Sequence, residues 1–165
     1  STPIGLHAEQ GMNVLQSGKH LWCEKPFSCE LDKTEDIISL SRSKSLSVAE
    51  GFMYMYHTQF KEVQNRIQTG KFGKIKEVSL RFGMPLHENP GFRYDPSLCG
   101  GAFWDLGSYP VSAALSIFKG NGVTVDYVDI SGRNDFEVES SGLVEITNAS
   151  RSIPFSALPM IDSVP

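Results

Sequence analysis

Two helix-strand units follow one another between Ser1 and Gly51, and no other feature limits the fold of this chain as much. Ala8, Met12 and Leu15 recur at the spacing of one helical face. Gly18 stands where a residue just past a helix end belongs, and His20 to Cys23 reads as a short buried strand. The order then repeats. Asp32 and Glu35 resemble a capping box, and Ile37, Ile38 and Leu40 supply the apolar positions. Arg42 and Lys44 favour the helix end, and Leu46 to Ala49 forms a strand that stops at Glu50-Gly51. Helix-strand units with short connections imply a parallel sheet. A sheet of two parallel strands leaves faces that such sheets normally bury, so further strands are expected before Ser1.

From Phe52 the pattern changes. Phe60, Val63 and Ile67 mark a helix ending near Gly70. Gly73 leads into Ile75, Val78, Leu80 and Phe82, where alternation describes a half-exposed strand. A loop rich in Pro and Gly runs from Pro85 to Leu98, long enough to be functional. Residues 102–118 read as a helix, with Pro110 bending it or lying in its first turn. Residues 123–130, 136–146 and 151–157 read as three strands. Helices on one face of a mainly antiparallel sheet describe an α+β unit. The expected division is 1–51 and 52–165, the latter incomplete at its C-terminal end.

Composition excludes several function classes. The net charge is -4 and the basic residues are scattered, which gives no footprint for nucleic acid. No apolar run reaches the length of about eighteen residues that a membrane span needs, and no signal peptide opens the chain. Cys23, Cys29 and Cys99 are an odd count without a short metal-type pair. Free thiols in a reducing cytoplasm are expected, with neither a disulfide framework nor a metal site.

Chemistry concentrates in two places. Glu24-Lys25-Pro26 closes the first strand, at the carboxyl end where ligands bind in open α/β sheets. Farther on, Gly100-Gly101 precedes Asp105 and Tyr109, which share a face if both are helical. A carboxylate and a phenol facing a pocket can bind hydroxyls and move a proton. Each residue also has a plainer role. Lys25 can be solvated, Asp105 can sit on a helix dipole, and Tyr109 and Trp104 can be packing residues.

The order of these motifs resembles the glucose-fructose oxidoreductase, inositol dehydrogenase and rhizopine-catabolism family of nicotinamide-dependent oxidoreductases. Thr2-Pro3 with His7 resembles its loop along the cofactor, and Gly18-Lys19-His20 leading to Glu24-Lys25-Pro26 resembles its signature strand and turn. Gly51-Phe52-Met53-Tyr54 with His57 resembles the start of its second domain. Gly70 to Ile75 resembles the turn before its sheet, and Gly100-Gly101 through Tyr109 its second signature. Many members have histidine where this chain has Tyr109, so the resemblance is to the tyrosine branch and weakens any reading as an inositol dehydrogenase.

The resemblance implies the C-terminal part of a Rossmann-like dinucleotide-binding domain followed by an α+β substrate domain whose open sheet supports homo-oligomers. It implies NAD or NADP as cofactor and a sugar, nucleotide-sugar or dihydrodiol substrate. Cofactor contacts are expected from Thr2, Pro3, His7, Glu24, Lys25 and Pro26. Lys25, Asp105 and Tyr109 are the expected catalytic residues, with Arg93 and Trp104 added for substrate. The Lys25 ammonium is expected to lower the Tyr109 pKa. No G-x-G-x-x-G occurs in the chain, so the phosphate-binding glycines are expected upstream, and these residues alone are expected to bind NAD or NADP poorly. Two alternatives remain: a dinucleotide-binding sensor without turnover, and an NAD-dependent glycosidase of the same family.

Overall fold

The computed structural model describes residues 2–85, 91–118, 123–132 and 137–147, together with the backbone of 148 and 155–156. A short 3₁₀ turn, Ile4–Leu6, opens into helix α1, His7–Gln16. Gly18, at φ +75°, reverses the chain into strand β1, Leu21–Cys23. Helix α2, Leu31–Ser43, leads to strand β2, Val48–Glu50. The two strands pair in parallel, Leu21 beside Val48 and Cys23 beside Glu50. Ala8 and Leu15 of α1, Ile37 of α2, and Leu21 and Cys23 form one core, with Met12, Leu40, Leu46 and Val48 packed on it. Of the periodic positions read from the sequence, Ala8, Met12, Leu15, Ile37 and Leu40 meet in this core, whereas Ile38 is half-buried outside it. Trp22, between two buried strand neighbours, is 74% exposed on the opposite face.

The capping box at Asp32 and Glu35 does not form. Helix α2 starts two residues earlier than that box requires, with Glu30 as the flanking residue and no side-chain cap. Asp32 lies inside the first turn, where its charge meets the positive end of the helix dipole.

After Gly51 the chain makes a 3₁₀ turn, Met53–Tyr56, and helix α3, Thr58–Gln68. Strand β3 is reduced to Val78–Ser79 and pairs in parallel with strand β6, Phe155–Ser156. Two 3₁₀ turns, Gly91–Tyr94 and Pro96–Leu98, occupy the described part of the long loop. A π-turn over Phe103–Gly107 feeds helix α4, Ser108–Phe118, whose first turn contains Pro110. Strands β4, Val123–Gly132, and β5, Glu139–Asn148, pair antiparallel over most of their length. The sheet hydrogen bonding of this half is thus mainly antiparallel, with the short β3–β6 contact as its parallel exception. Ala114, Val144 and Ile146 form a second core with Leu80, Phe103, Phe118 and Val123 against it. Most of the segment 151–157 read as a strand lies outside the described residues. Among the described residues no helix is long and apolar enough to cross a membrane.

Candidate active site

The carboxyl end of β1 carries the turn Glu24-Lys25-Pro26, whose Lys25–Pro26 bond is cis. From there the Lys25 side chain crosses to the π-turn. Its Nζ donates to Asp105 Oδ1 at 3.0 Å and also to the Asp105 backbone oxygen. Arg93 Nε donates to the other carboxylate oxygen, Oδ2, at 3.0 Å. One carboxylate therefore joins two cations. The Lys25 side chain is 9% exposed, against 21% for Asp105 and 41% for Arg93, so the Lys25 contact is the drier and stronger of the two.

Local geometry explains why Arg93 and Asp105 meet. Gly100 N donates to Asp95 O and Gly101 N to Arg93 O, at 2.9 and 2.8 Å. A Cβ on Gly100 would lie 2.7 Å from the Arg93 carbonyl oxygen, and Gly101 holds φ +120°. Only glycine lets the chain fold back this closely. The Glu139 carboxylate, from β5, packs over Gly101 and accepts the Phe103 N–H at 3.1 Å, fixing the start of the π-turn.

Lys25 Nζ also sits 4.6 Å from the centre of the Tyr109 ring, within reach of a cation–π attraction. Phe82, Phe52 and Tyr54 surround that ring at 4.9, 5.8 and 6.1 Å. The Tyr109 hydroxyl points elsewhere and donates to Met53 Sδ at 3.7 Å. The expectation that Lys25 lowers the Tyr109 pKa is overturned. Burial, then the Glu24 and Asp105 carboxylates, hold the phenol above its usual value of 10.0. Lys25 faces the ring rather than the oxygen, and its charge is already matched by Asp105.

An open cleft of about 380 Å³ lies over these groups. Thr2, Pro3, His7, Glu24, Lys25, Arg93, Asp105 and Tyr109 all line it, together with Ile4, Phe82, Met84, Phe92 and Leu106, none of which the sequence marked as site residues. Pro26 is buried, its carbonyl oxygen 2.8 Å from His7 Nδ1. His7 is itself 4% exposed, and its Nε2 lies 2.9 Å from Thr2 O. Both ring nitrogens thus serve the backbone and neither is open to a ligand. Trp104 is not among the cleft residues and instead stacks edge-on against Phe103 at 5.7 Å. His87 and Asn89 lie outside the described residues.

The free-thiol expectation also needs correction. Cys29 and Cys99 form a disulfide across 70 residues, with Cα atoms 6.2 Å apart. Gly5 packs directly on Leu98, which helps to bring the two segments together. Only Cys23 is left as a buried free cysteine. Burial, assisted by Glu50 and Glu24, pushes its thiol up to about 11, so it is inert at neutral pH.

Comparison with known proteins places this geometry in context. The family described as "Oxidoreductase family, NAD-binding Rossmann fold" matches residues 1–52, and the "GFO/IDH/MocA C-terminal domain" matches residues 60–153. The dTDP-3,4-didehydro-2,6-dideoxy-alpha-D-glucose 3-reductase of Saccharopolyspora spinosa is 30% identical over 86% of this chain and 41% of its own length. The D-xylose 1-dehydrogenase (NADP(+)) 2 of Haloferax volcanii is 31% identical over 87% of the chain and 44% of its own. A crystal structure of a 3-ketoreductase from Actinomadura kijaniata, in complex with NADP and TDP-benzene, superposes with a TM-score of 0.87 at 26% identity. It covers 97% of this chain and 49% of that one. The chain therefore spans less than half the length of these relatives.

Proposed function

The chain belongs to the GFO/IDH/MocA oxidoreductase family, and from that premise we propose that the intact protein is an NAD(P)-dependent oxidoreductase. It would move a hydride between nicotinamide and a hydroxyl- or carbonyl-bearing carbon of a sugar, nucleotide sugar or dihydrodiol. The observation that carries this reading is the meeting of Lys25, Asp105 and Tyr109 in one cleft, at the carboxyl end of a parallel strand. We place the domain division after Gly51 and the enzyme in the cytoplasm, where a Cys29–Cys99 bond would exchange with the thiol pool. Val125, Val128 and Ile130, which share a face of β4, are 46–62% exposed, which supports oligomer formation through that sheet.

The residues present suit the nicotinamide end of the cofactor. The cleft, about 380 Å³, has room for a flat ring, and Thr2, Pro3, Glu24, Lys25 and Tyr109 all line it. The pyrophosphate cradle is not supplied here, because the sequence has no G-x-G-x-x-G. Bound NADH or NADPH supplies the hydride. The chain's own groups supply orientation and the proton. The Lys25 ammonium, held by Asp105, polarises the substrate oxygen. Asp105, bridging Lys25 and Arg93, keeps both donors aimed into the cleft and accepts a neighbouring substrate hydroxyl. Tyr109, kept protonated by its raised pKa, gives its proton to the oxygen as the carbonyl is reduced, exchanging Met53 Sδ for the substrate as its acceptor.

Turnover of reduced cofactor with a panel of free and nucleotide-linked keto sugars tests this reading in the intact protein. Lys25→Met and Tyr109→Phe should each lower kcat/KM by about two orders of magnitude or more. Rates that stay within a few-fold of wild type would remove those residues from the mechanism. Turnover of reduced cofactor also distinguishes an enzyme from a non-catalytic sensor.

A further inference from the structure

One peptide group in the Lys25 turn is held at both of its polar ends. The carbonyl oxygen of Pro26 lies 2.8 Å from His7 Nδ1, and the N–H of Phe27 donates to Glu50 Oε1 at 3.0 Å. These two atoms belong to the same peptide plane. The side chains that hold them come from different elements, since His7 opens α1 and Glu50 closes β2. With the two ends of a planar group tied to separate elements, the plane cannot turn without breaking one of the bonds. Lys25 stands one residue before it, and its ammonium has to reach Asp105 across a separation of 80 residues. A small rotation at the turn would be magnified at the tip of so long a side chain.

The register of the strands makes the reach possible. Cys23 pairs with Glu50, and Gly51 N donates to Cys23 O at 2.8 Å, closing the ladder where the turn begins. Glu50 therefore lies alongside the end of β1, and its carboxylate meets the chain four residues farther on. It does not line the cleft, so its influence passes through the backbone. Burial holds its carboxyl above the usual carboxylate value, opposed by the Phe27 N–H and then by Lys25 and His7.

Resting on the reading of Lys25 given above, we propose that Glu50 is a positioning residue that, with His7, locks the Pro26–Phe27 peptide plane and so fixes the Lys25 ammonium against Asp105 and Tyr109. This also assigns His7 to the scaffold of the turn rather than to cofactor contact.

The test combines hydrogen exchange at the Phe27 amide with steady-state kinetics, both on the intact protein carrying Glu50→Ala or Glu50→Gln. Glutamine keeps an oxygen that can accept the Phe27 N–H, whereas alanine does not. In Glu50→Ala the Phe27 amide should exchange at least about tenfold faster, and kcat should fall at least about tenfold. The KM for cofactor should stay within about threefold, and Glu50→Gln should restore both readouts to within about threefold of wild type. Should Glu50→Ala not fold, Glu50→Asp, whose carboxylate falls one methylene short, takes its place with the same expected direction. Unchanged Phe27 exchange in the alanine variant would overturn the clamp. Faster exchange with unchanged kcat would overturn the positioning role, as would a glutamine variant as impaired as the alanine one. If the wild-type protein turned over no carbonyl substrate, the functional reading would fall, and the exchange experiment would still decide whether the peptide plane is locked.

Discussion

Asp105→Ala is the perturbation that most directly probes the site, because it strips the shared partner from two cations at once. The two contacts differ in weight. Arg93 is 41% exposed and its half of the bridge is screened by water, which puts it at no more than about 1 kcal/mol. Lys25 is 9% exposed and 3.0 Å from Asp105 Oδ1. At an effective dielectric of about 20 that distance corresponds to roughly 5 kcal/mol of gross attraction. Desolvation of both ions offsets much of this in the wild type, but leaving a buried ammonium alone forfeits the compensation, at a cost of about 3–5 kcal/mol. The backbone oxygen of residue 105 still accepts from Lys25, so the low end applies, about 3 kcal/mol. Urea unfolding of the intact protein measures it as a fall in midpoint at constant slope. Lys25→Met should rescue part of the loss, with a coupling of about 2 kcal/mol in the double-mutant cycle. A loss below about 0.5 kcal/mol, or additive effects in the cycle, would mean that the carboxylate does not hold the lysine and that the proposed geometry is wrong.

Leu15 and Ile37 are fully buried, so Leu15→Ala and Ile37→Ala should each destabilise by about 3 kcal/mol in denaturant unfolding, and a loss under about 1 kcal/mol would displace them from the core. The Tyr109 phenol has its folded pKa raised above 10.0, so its contribution to stability is complete below pH 10 and is lost as pH rises through the folded value; Tyr109→Phe should flatten the alkaline limb of the stability profile, and an unaltered limb would contradict the raised value. Non-reducing peptide mapping should recover a Cys29–Cys99 linked pair, and Cys99→Ser should cost about 4 kcal/mol if loop closure over 70 residues dominates; mapping without that cross-link would restore free thiols.

The sequence exposes what local periodicity and composition can encode. Ala8, Leu15 and Ile37 announced both helices, and the shortness of the joints announced a parallel pairing. Contacts between distant segments were not legible in the same way. Cys29 and Cys99 look like unrelated thiols until Leu98 packs against Gly5. Glu50 reads only as a strand end, because nothing local says that its carboxylate serves the Phe27 amide. Glu139 likewise carries no signal until β5 places it over Gly101. Trp104, an aromatic in a motif that suggests a pocket wall, lies in the π-turn with its ring edge-on to Phe103.

The placement of charge around Tyr109 bears on which way the chemistry runs. A phenolate base needs a cation at its oxygen, and here the nearest ammonium lies over the ring face with Asp105 already beside it. Burial, and then the carboxylates of Glu24 and Asp105, oppose ionisation of the same phenol. A tyrosine so placed is a better proton donor than acceptor at neutral pH. On the proposed reading, that suits the proton-donating step of carbonyl reduction. Moving the balance requires moving Asp105: if Asp105→Asn released Lys25 toward the hydroxyl and removed one opposing charge, the phenol pKa would fall. Alcohol oxidation should then gain relative to carbonyl reduction, measured as the ratio of the two kcat values at one pH. A ratio that stays at the wild-type value while both rates fall would mean that Tyr109 is not the proton-transfer group.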